Sequence, residues 1–141
     1  MKETEILQIL KLITDRLKDK EVTWRIDGSA NLLVQGVEVN VNDLDITADD
    51  AYVFSDVLKE FVVKEFYNEK IKAKSVVCDI NSKEVEINCY DNKELNMFNK
   101  IETIEWNDLR IPVLPLLDAK EFYKLIDRKD KIELIEKHLN K

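Results

Sequence analysis

The stretch Trp24 to Ile46, "WRIDGSANLLVQGVEVNVNDLDI", holds Gly28 and Gly36, both glycines of a 141-residue chain, and it closes on Asp43 and Asp45 with Leu44 between them. Just ahead of it and into it, Val22, Trp24 and Ile26 alternate with polar residues, which predicts a strand that stops at Gly28. "SANLLV" predicts a short helix with Ser29 near its start, where a hydroxyl caps free backbone N–H groups. Gly36 is placed to end that helix, because glycine tolerates the left-handed conformation such endings use. "NDLDITA" then predicts a second strand, with Asp43 and Asp45 on one face and Leu44 and Ile46 turned to the core.

Two carboxylates forced side by side repel unless one is protonated or a cation lies between them. A hard divalent cation such as Mg2+, which takes oxygen ligands and keeps some of its waters, suits that pair. Upstream, Gly28 lets a phosphate come close to the backbone, Ser29 offers a hydroxyl, and the helix start adds N–H groups and a positive dipole end. Together the two halves describe a seat for a metal-bound triphosphate. As a calcium loop "NDLDITADD" fails, since Ala48 stands where glycine is needed and Phe54 where the closing glutamate belongs.

Outward from this stretch, Ile6, Leu7, Ile9, Leu10, Ile13 and Leu17 recur at helical spacing. "DDAYVFSDVLKEFVV" opens on two acids and reads as a helix. "KIKAKSVVCDI" and "KEVEINCY" flank the turn residues "NSK" and predict a hairpin. "NKIETIEW" and "RIPVLPL" predict another pair around "NDL", with Pro112 and Pro115 marking an edge or a strand end. Two amphipathic helical segments, "LLDAKEFYKLI" and "RKDKIELIEKHL", close the chain. This order predicts one α+β domain over residues 1–141, a mixed sheet covered by helices on one face.

Twenty-two basic against 29 acidic residues give a net charge of -7, which argues against non-specific nucleic-acid binding. Cys78 and Cys89 form no metal or disulfide pattern and read as thiols of a reducing compartment. The first twenty residues carry charges throughout, and no stretch is long and apolar enough to span a membrane. The sequence is therefore read as that of a soluble, cytoplasmic protein.

Gly28-Ser29 followed at this distance by "DLDI" resembles the nucleotidyltransferase fold, the superfamily of DNA polymerase beta and of small antibiotic- and toxin-associated nucleotidyltransferases. The resemblance implies a third metal-holding carboxylate on a later strand, matched by Glu86 in "KEVEINCY", with Asp79 in reserve. The tail, from "IPVLPLLDAKEFYKLI" onward, is similar to that of small stand-alone members and matches Lys120, Arg128 and Lys129 to their basic, nucleotide-binding positions. The implied activity is transfer of a nucleoside monophosphate from an NTP to a hydroxyl of a small molecule, protein or RNA. Asp43, Asp45 and Glu86 would hold one or two Mg2+ ions, and Gly28, Ser29 and the basic residues would bind the triphosphate. The alternative is a catalytically idle nucleotide- or partner-binding module, such as one half of a toxin-antitoxin pair; a homo-oligomer or a protein partner fits either. Two positions depart from the superfamily pattern. Glu86 stands where Asp is common, and Asp27 precedes the glycine where an apolar or small residue is usual; a carboxylate there is repelled by a triphosphate unless it turns away.

Overall fold

The computed structural model describes residues 1–141. Helix α1 (Glu3–Leu17) buries Ile6, Ile9, Leu10, Ile13 and Leu17 along one stripe, as the helical spacing predicts. Strand β1 (Trp24–Asp27), helix α2 (Gly28–Val34), strand β2 (Leu44–Ala48) and helix α3 (Ala51–Val57) follow. After a 3₁₀ turn come β3 (Val62–Asn68), β4 (Ala73–Ile80) and β5 (Lys83–Tyr90). A short α4 (Lys93–Asn96), the pair β6 (Glu102–Trp106) and β7 (Leu109–Val113), and helices α5 (Leu116–Leu125) and α6 (Lys129–Leu139) complete the chain. No helix is long and apolar enough to cross a membrane, and both cysteines are free thiols.

Five strands form one mixed sheet in the order β1-β2-β5-β4-β3, with β2 and β5 parallel and the other neighbours antiparallel. β6 and β7 pair separately. Both predicted hairpins are present. Asn81-Ser82 and Asn107-Asp108 turn them with positive φ at both residues, 54° and 65° in the first and 50° and 66° in the second. That is the mirror-image turn whose twist matches the strands it joins. Gly36, at φ +93°, ends α2 as expected: its N–H bonds Leu33 O at 2.9 Å and Val37 N–H bonds Leu32 O at 3.0 Å, a closure that gives the last carbonyls of the helix partners.

Two expectations change. "FVV" does not prolong the third helix; from Val62 the chain is the edge strand β3, whose Val63, Lys64, Glu65 and Tyr67 are exposed. A strand with so little buried area shows no clean alternation in its sequence. Helices also meet the sheet on both faces. One face carries Ile26, Leu44, Ile46, Val76, Val85 and Ile87 into a core shared with α1 and α3. The opposite face presents Arg25, Asp27, Asp45, Thr47, Glu86 and Asn88, in register across three strands. There Phe122 of α5 stands edge-on to Tyr90, ring centroids 6.2 Å apart, and beneath the Arg25 guanidinium at 5.2 Å. Asn31 ties α2 to the β7–α5 connection by exchanging hydrogen bonds with Leu114, at 2.9 and 3.0 Å.

Candidate active site

The polar face of the sheet is organised around the β1–α2 turn. Asp27, at the end of β1, caps α2: its Oδ1 accepts from Gly28 N–H at 2.8 Å. Its Oδ2 accepts from the Thr47 hydroxyl at 2.9 Å, and Arg25 Nη1 lies 3.3 Å from Oδ1. Arg25 is fully buried, and it donates through Nε to Asn96 O and through Nη2 to Leu95 O, both at 3.1 Å. The unusual carboxylate is thus turned inward and compensated, so it presents no free charge to a phosphate. Ser29 is not the cap that the sequence predicts; its hydroxyl instead accepts from Lys131 Nζ at 2.6 Å.

Gly28 is demanded twice. Its φ of +60° lies in the left-handed region, and a Cβ placed there would sit 2.5 Å from Asp45 Oδ2. The glycine therefore makes room for the Asp45 carboxylate, which a side chain at this position would displace.

Asp45 stands in β2 between Asp27 of β1 and Glu86 of β5, directly opposite both in the pairing register. Asp43 sits one residue before the strand rather than within it, half-buried. Asp79 pairs with Glu84, farther along the hairpin and exposed, so Glu86 is the acid next to Asp45. Burial pushes the Asp45 carboxyl up to about 8, and repulsion from Asp43, Asp27, Glu86 and Glu84 adds to it. Glu86 is also raised, first by burial and then by Glu84 and Asp43, against an opposing hydrogen bond to Asn88.

No three His, Cys, Asp or Glu side chains converge closely enough to enclose a metal ion by themselves. Neither Asp45 nor Glu86 has an ion-pair partner. An all-oxygen, charge-strained donor set that is incomplete without further oxygens fits Mg2+, which is usually held by one or two carboxylates plus waters and substrate phosphates rather than by an all-protein cage.

Two clefts open on this face. One, of about 300 Å³, is walled by Gly28, Ser29, Asp43, Asp45, Arg128 and Lys131. The other, of about 360 Å³, runs past Glu86 and Asn88 to the aromatic and aliphatic wall of Tyr90, Phe122 and Ile126. Gly28, Asp45, Tyr123 and Arg128 line both.

Arg128 reaches the clefts because α5 ends in a tight turn: Asp127 takes a φ of 56°, and Arg128 N–H bonds Tyr123 O at 2.9 Å. Its guanidinium grips Asp130 through two bonds of 3.1 Å. The other two basic positions expected from the tail lie elsewhere. Lys120 faces Glu136 of α6 at 3.9 Å, Lys129 is exposed at the start of α6, and neither lines a cleft. Lys131 does, and its charged form is disfavoured by burial and by Arg128. Lys131 lies in the first turn of α6, whose N-cap is Arg128, and the run Arg128-Lys129-Asp130-Lys131 by itself does not say which of its bases turns to the cleft.

Comparison with known proteins identifies the family and the fold. The family model described as aminoglycoside-2''-adenylyltransferase matches residues 9–136. The chain belongs to this family. Its fold is that of nucleotidyltransferases: a protein of Thermotoga maritima assigned as a nucleotidyltransferase is 31% identical, with a TM-score of 0.80, the match covering 99% of this chain and 96% of that one. The family's fold also relates the chain to the lincosamide antibiotic adenylyltransferase LnuA, solved with lincomycin bound, at 16% identity and a TM-score of 0.63 over 96% of this chain and 97% of that one. The antibiotic-resistance factor ANT(2'')-Ia shares the fold at 9% identity and a TM-score of 0.66, over 98% of this chain and 86% of that one. Among curated proteins, none matches the chain by sequence.

Proposed function

We propose that this member of the family transfers a nucleoside monophosphate from an NTP to a hydroxyl of a small molecule, at the seam where the two clefts meet. The observation that carries the reading is the pairing of Asp45 with Glu86 across β2 and β5 beside the Gly28-Ser29 turn. It gathers acidic side chains without a basic partner at the foot of a helix N-terminus.

In this reading Asp45 and Glu86, with Asp43 at the wall of the smaller cleft, would hold Mg2+ together with waters and phosphate oxygens; the ion would neutralise phosphate oxygens and lower the pKa of the attacking hydroxyl. Gly28 and the α2 N-terminus receive the triphosphate, with the Ser29 hydroxyl and the Arg128 and Lys131 charges beside it. Glu86 lines the larger cleft, where the acceptor lies, and its carboxylate is placed to take the hydroxyl proton. The acceptor oxygen bonds the α-phosphorus, the bond from that phosphorus to the bridging oxygen breaks, and pyrophosphate leaves with the electron pair. Arg128 and Lys131 offset the charge that develops on the leaving group. Lincomycin and tobramycin, bound by LnuA and carried as an adenylyl adduct by ANT(2'')-Ia, are suitable first acceptors to try.

Incubation with each α-labelled NTP, Mg2+ and either antibiotic or a cell extract should yield a labelled adduct that is lost in Asp45→Asn. An adduct that persists in Asp45→Asn would refute this site. Mg2+-dependent NTP binding without any adduct would favour the idle-module reading.

A further inference from the structure

Tyr123 of α5 is one of four residues that line both clefts. Its side chain is almost wholly enclosed, at 3% exposure, and its hydroxyl is buried with no hydrogen-bond partner. Buried hydroxyls are nearly always paired, so an orphaned one calls for an explanation. The ring has little freedom to find a partner. It is wedged edge-on to Phe122 with centroids 5.5 Å apart, and its backbone carbonyl is held by Arg128 N–H. Burial and the nearby Asp27 and Asp45 charges keep the phenol protonated, so it offers a proton to an oxygen acceptor. Neither carboxylate takes that proton.

An oxygen that arrives with a ligand completes the group. The clefts meet at Gly28, Asp45, Tyr123 and Arg128, between the phosphate-binding wall and the acceptor wall, and the moiety that occupies such a seam is the phosphoryl group in transit. We infer that the Tyr123 hydroxyl donates a hydrogen bond to a non-bridging oxygen of the α-phosphate of the bound NTP. This rests on the nucleotidyl-transfer reading and adds a substrate-binding residue that the sequence motifs do not indicate.

The test is Tyr123→Phe, which removes one oxygen and keeps the ring. Calorimetry would measure binding of α,β-methylene-ATP and of inorganic pyrophosphate, each with Mg2+, and melting of the free proteins would be compared. The variant is expected to bind the ATP analogue about 10- to 100-fold more weakly, as loss of a hydrogen bond to a charged group does. It should bind pyrophosphate as the wild type does, because pyrophosphate carries no α-phosphoryl group. The free variant should melt at the same temperature as the wild type or higher, since an unpaired hydroxyl has been removed from the interior. Equal affinities for the ATP analogue would overturn the inference and leave the transferase reading standing. A lowered melting temperature would overturn it too, by showing that the hydroxyl serves the fold. Absence of Mg2+-dependent analogue binding by the wild type would refute the transferase reading, and the inference with it.

Discussion

Replacing Asp45 with Asn tests whether the acidic face is held under electrostatic strain. The Asp45 carboxyl is raised from 3.8 to about 8 in the folded protein, so between those values the folded chain keeps a proton that the unfolded chain has released. Stability is then full below about pH 4, falls as pH rises through the window, and levels off above about pH 8. At about 1.4 kcal/mol per pH unit the upper bound of the loss is about 6 kcal/mol; relaxation of the neighbouring acids and water entry should reduce it to about 2–3 kcal/mol. Asn cannot ionise and escapes this loss. Urea denaturation from pH 4 to 9 should therefore show Asp45→Asn and wild type equally stable at the acid end, with the variant pulling ahead by about 2–3 kcal/mol at pH 8–9. Adding Mg2+ at pH 8 should close the gap by stabilising the wild type alone, since a ligand of the folded state contributes in proportion to the logarithm of its concentration over Kd. A difference that does not vary with pH would sink the electrostatic argument, and equal stabilisation of both proteins by Mg2+ would remove Asp45 from the metal site.

Gly28→Ala should cost about 2–3 kcal/mol in urea denaturation, from the left-handed conformation and from displacing Asp45 Oδ2, which lies 2.5 Å from the new Cβ; a loss below about 0.5 kcal/mol would contradict the close approach. Arg25→Met should destabilise by about 3–5 kcal/mol because it strands the Asp27 carboxylate, and Arg25→Met with Asp27→Asn should recover part of that in the same measurement. Lys131→Ala should weaken binding of α,β-methylene-ATP by about 5- to 10-fold in calorimetry, whereas Lys120→Ala, whose partner is Glu136, should leave it unchanged; the reverse order would restore the assignment expected from the tail.

Much of the architecture was legible in local pattern. The helical stripe of α1, the two hairpins and the glycine-terminated α2 follow from residue periods and turn chemistry that operate over a few positions. β3 was not, because an edge strand buries too little to impose alternation. Nor was the roofing of the polar face by α5: Arg25, Thr47 and Asn88 occupy polar positions of their strands, yet all are buried, compensated by partners on other elements. Asp27 is the clearest case, since its inward turn depends on Arg25, Gly28 and Thr47 together.

The ingredients of the candidate site are local features of the chain. A glycine-serine turn before a short helix, two aspartates flanking an apolar residue, and a glutamate on an alternating strand are local features that owe nothing to distant contacts. The tertiary structure alone decided how they meet. Glu86 rather than Asp79 stands beside Asp45 because the strand order puts β5, not β4, against β2; the β2–β5 register then sets the facing pair, and a one-step slip would turn the acids into the core. That Lys131, and not Lys120 or Lys129, lines a cleft likewise depends on how α6 leans on the β1–α2 turn, through the Lys131–Ser29 contact. Such pairings are set by packing between segments far apart in the chain, where short-range periodicity carries no information.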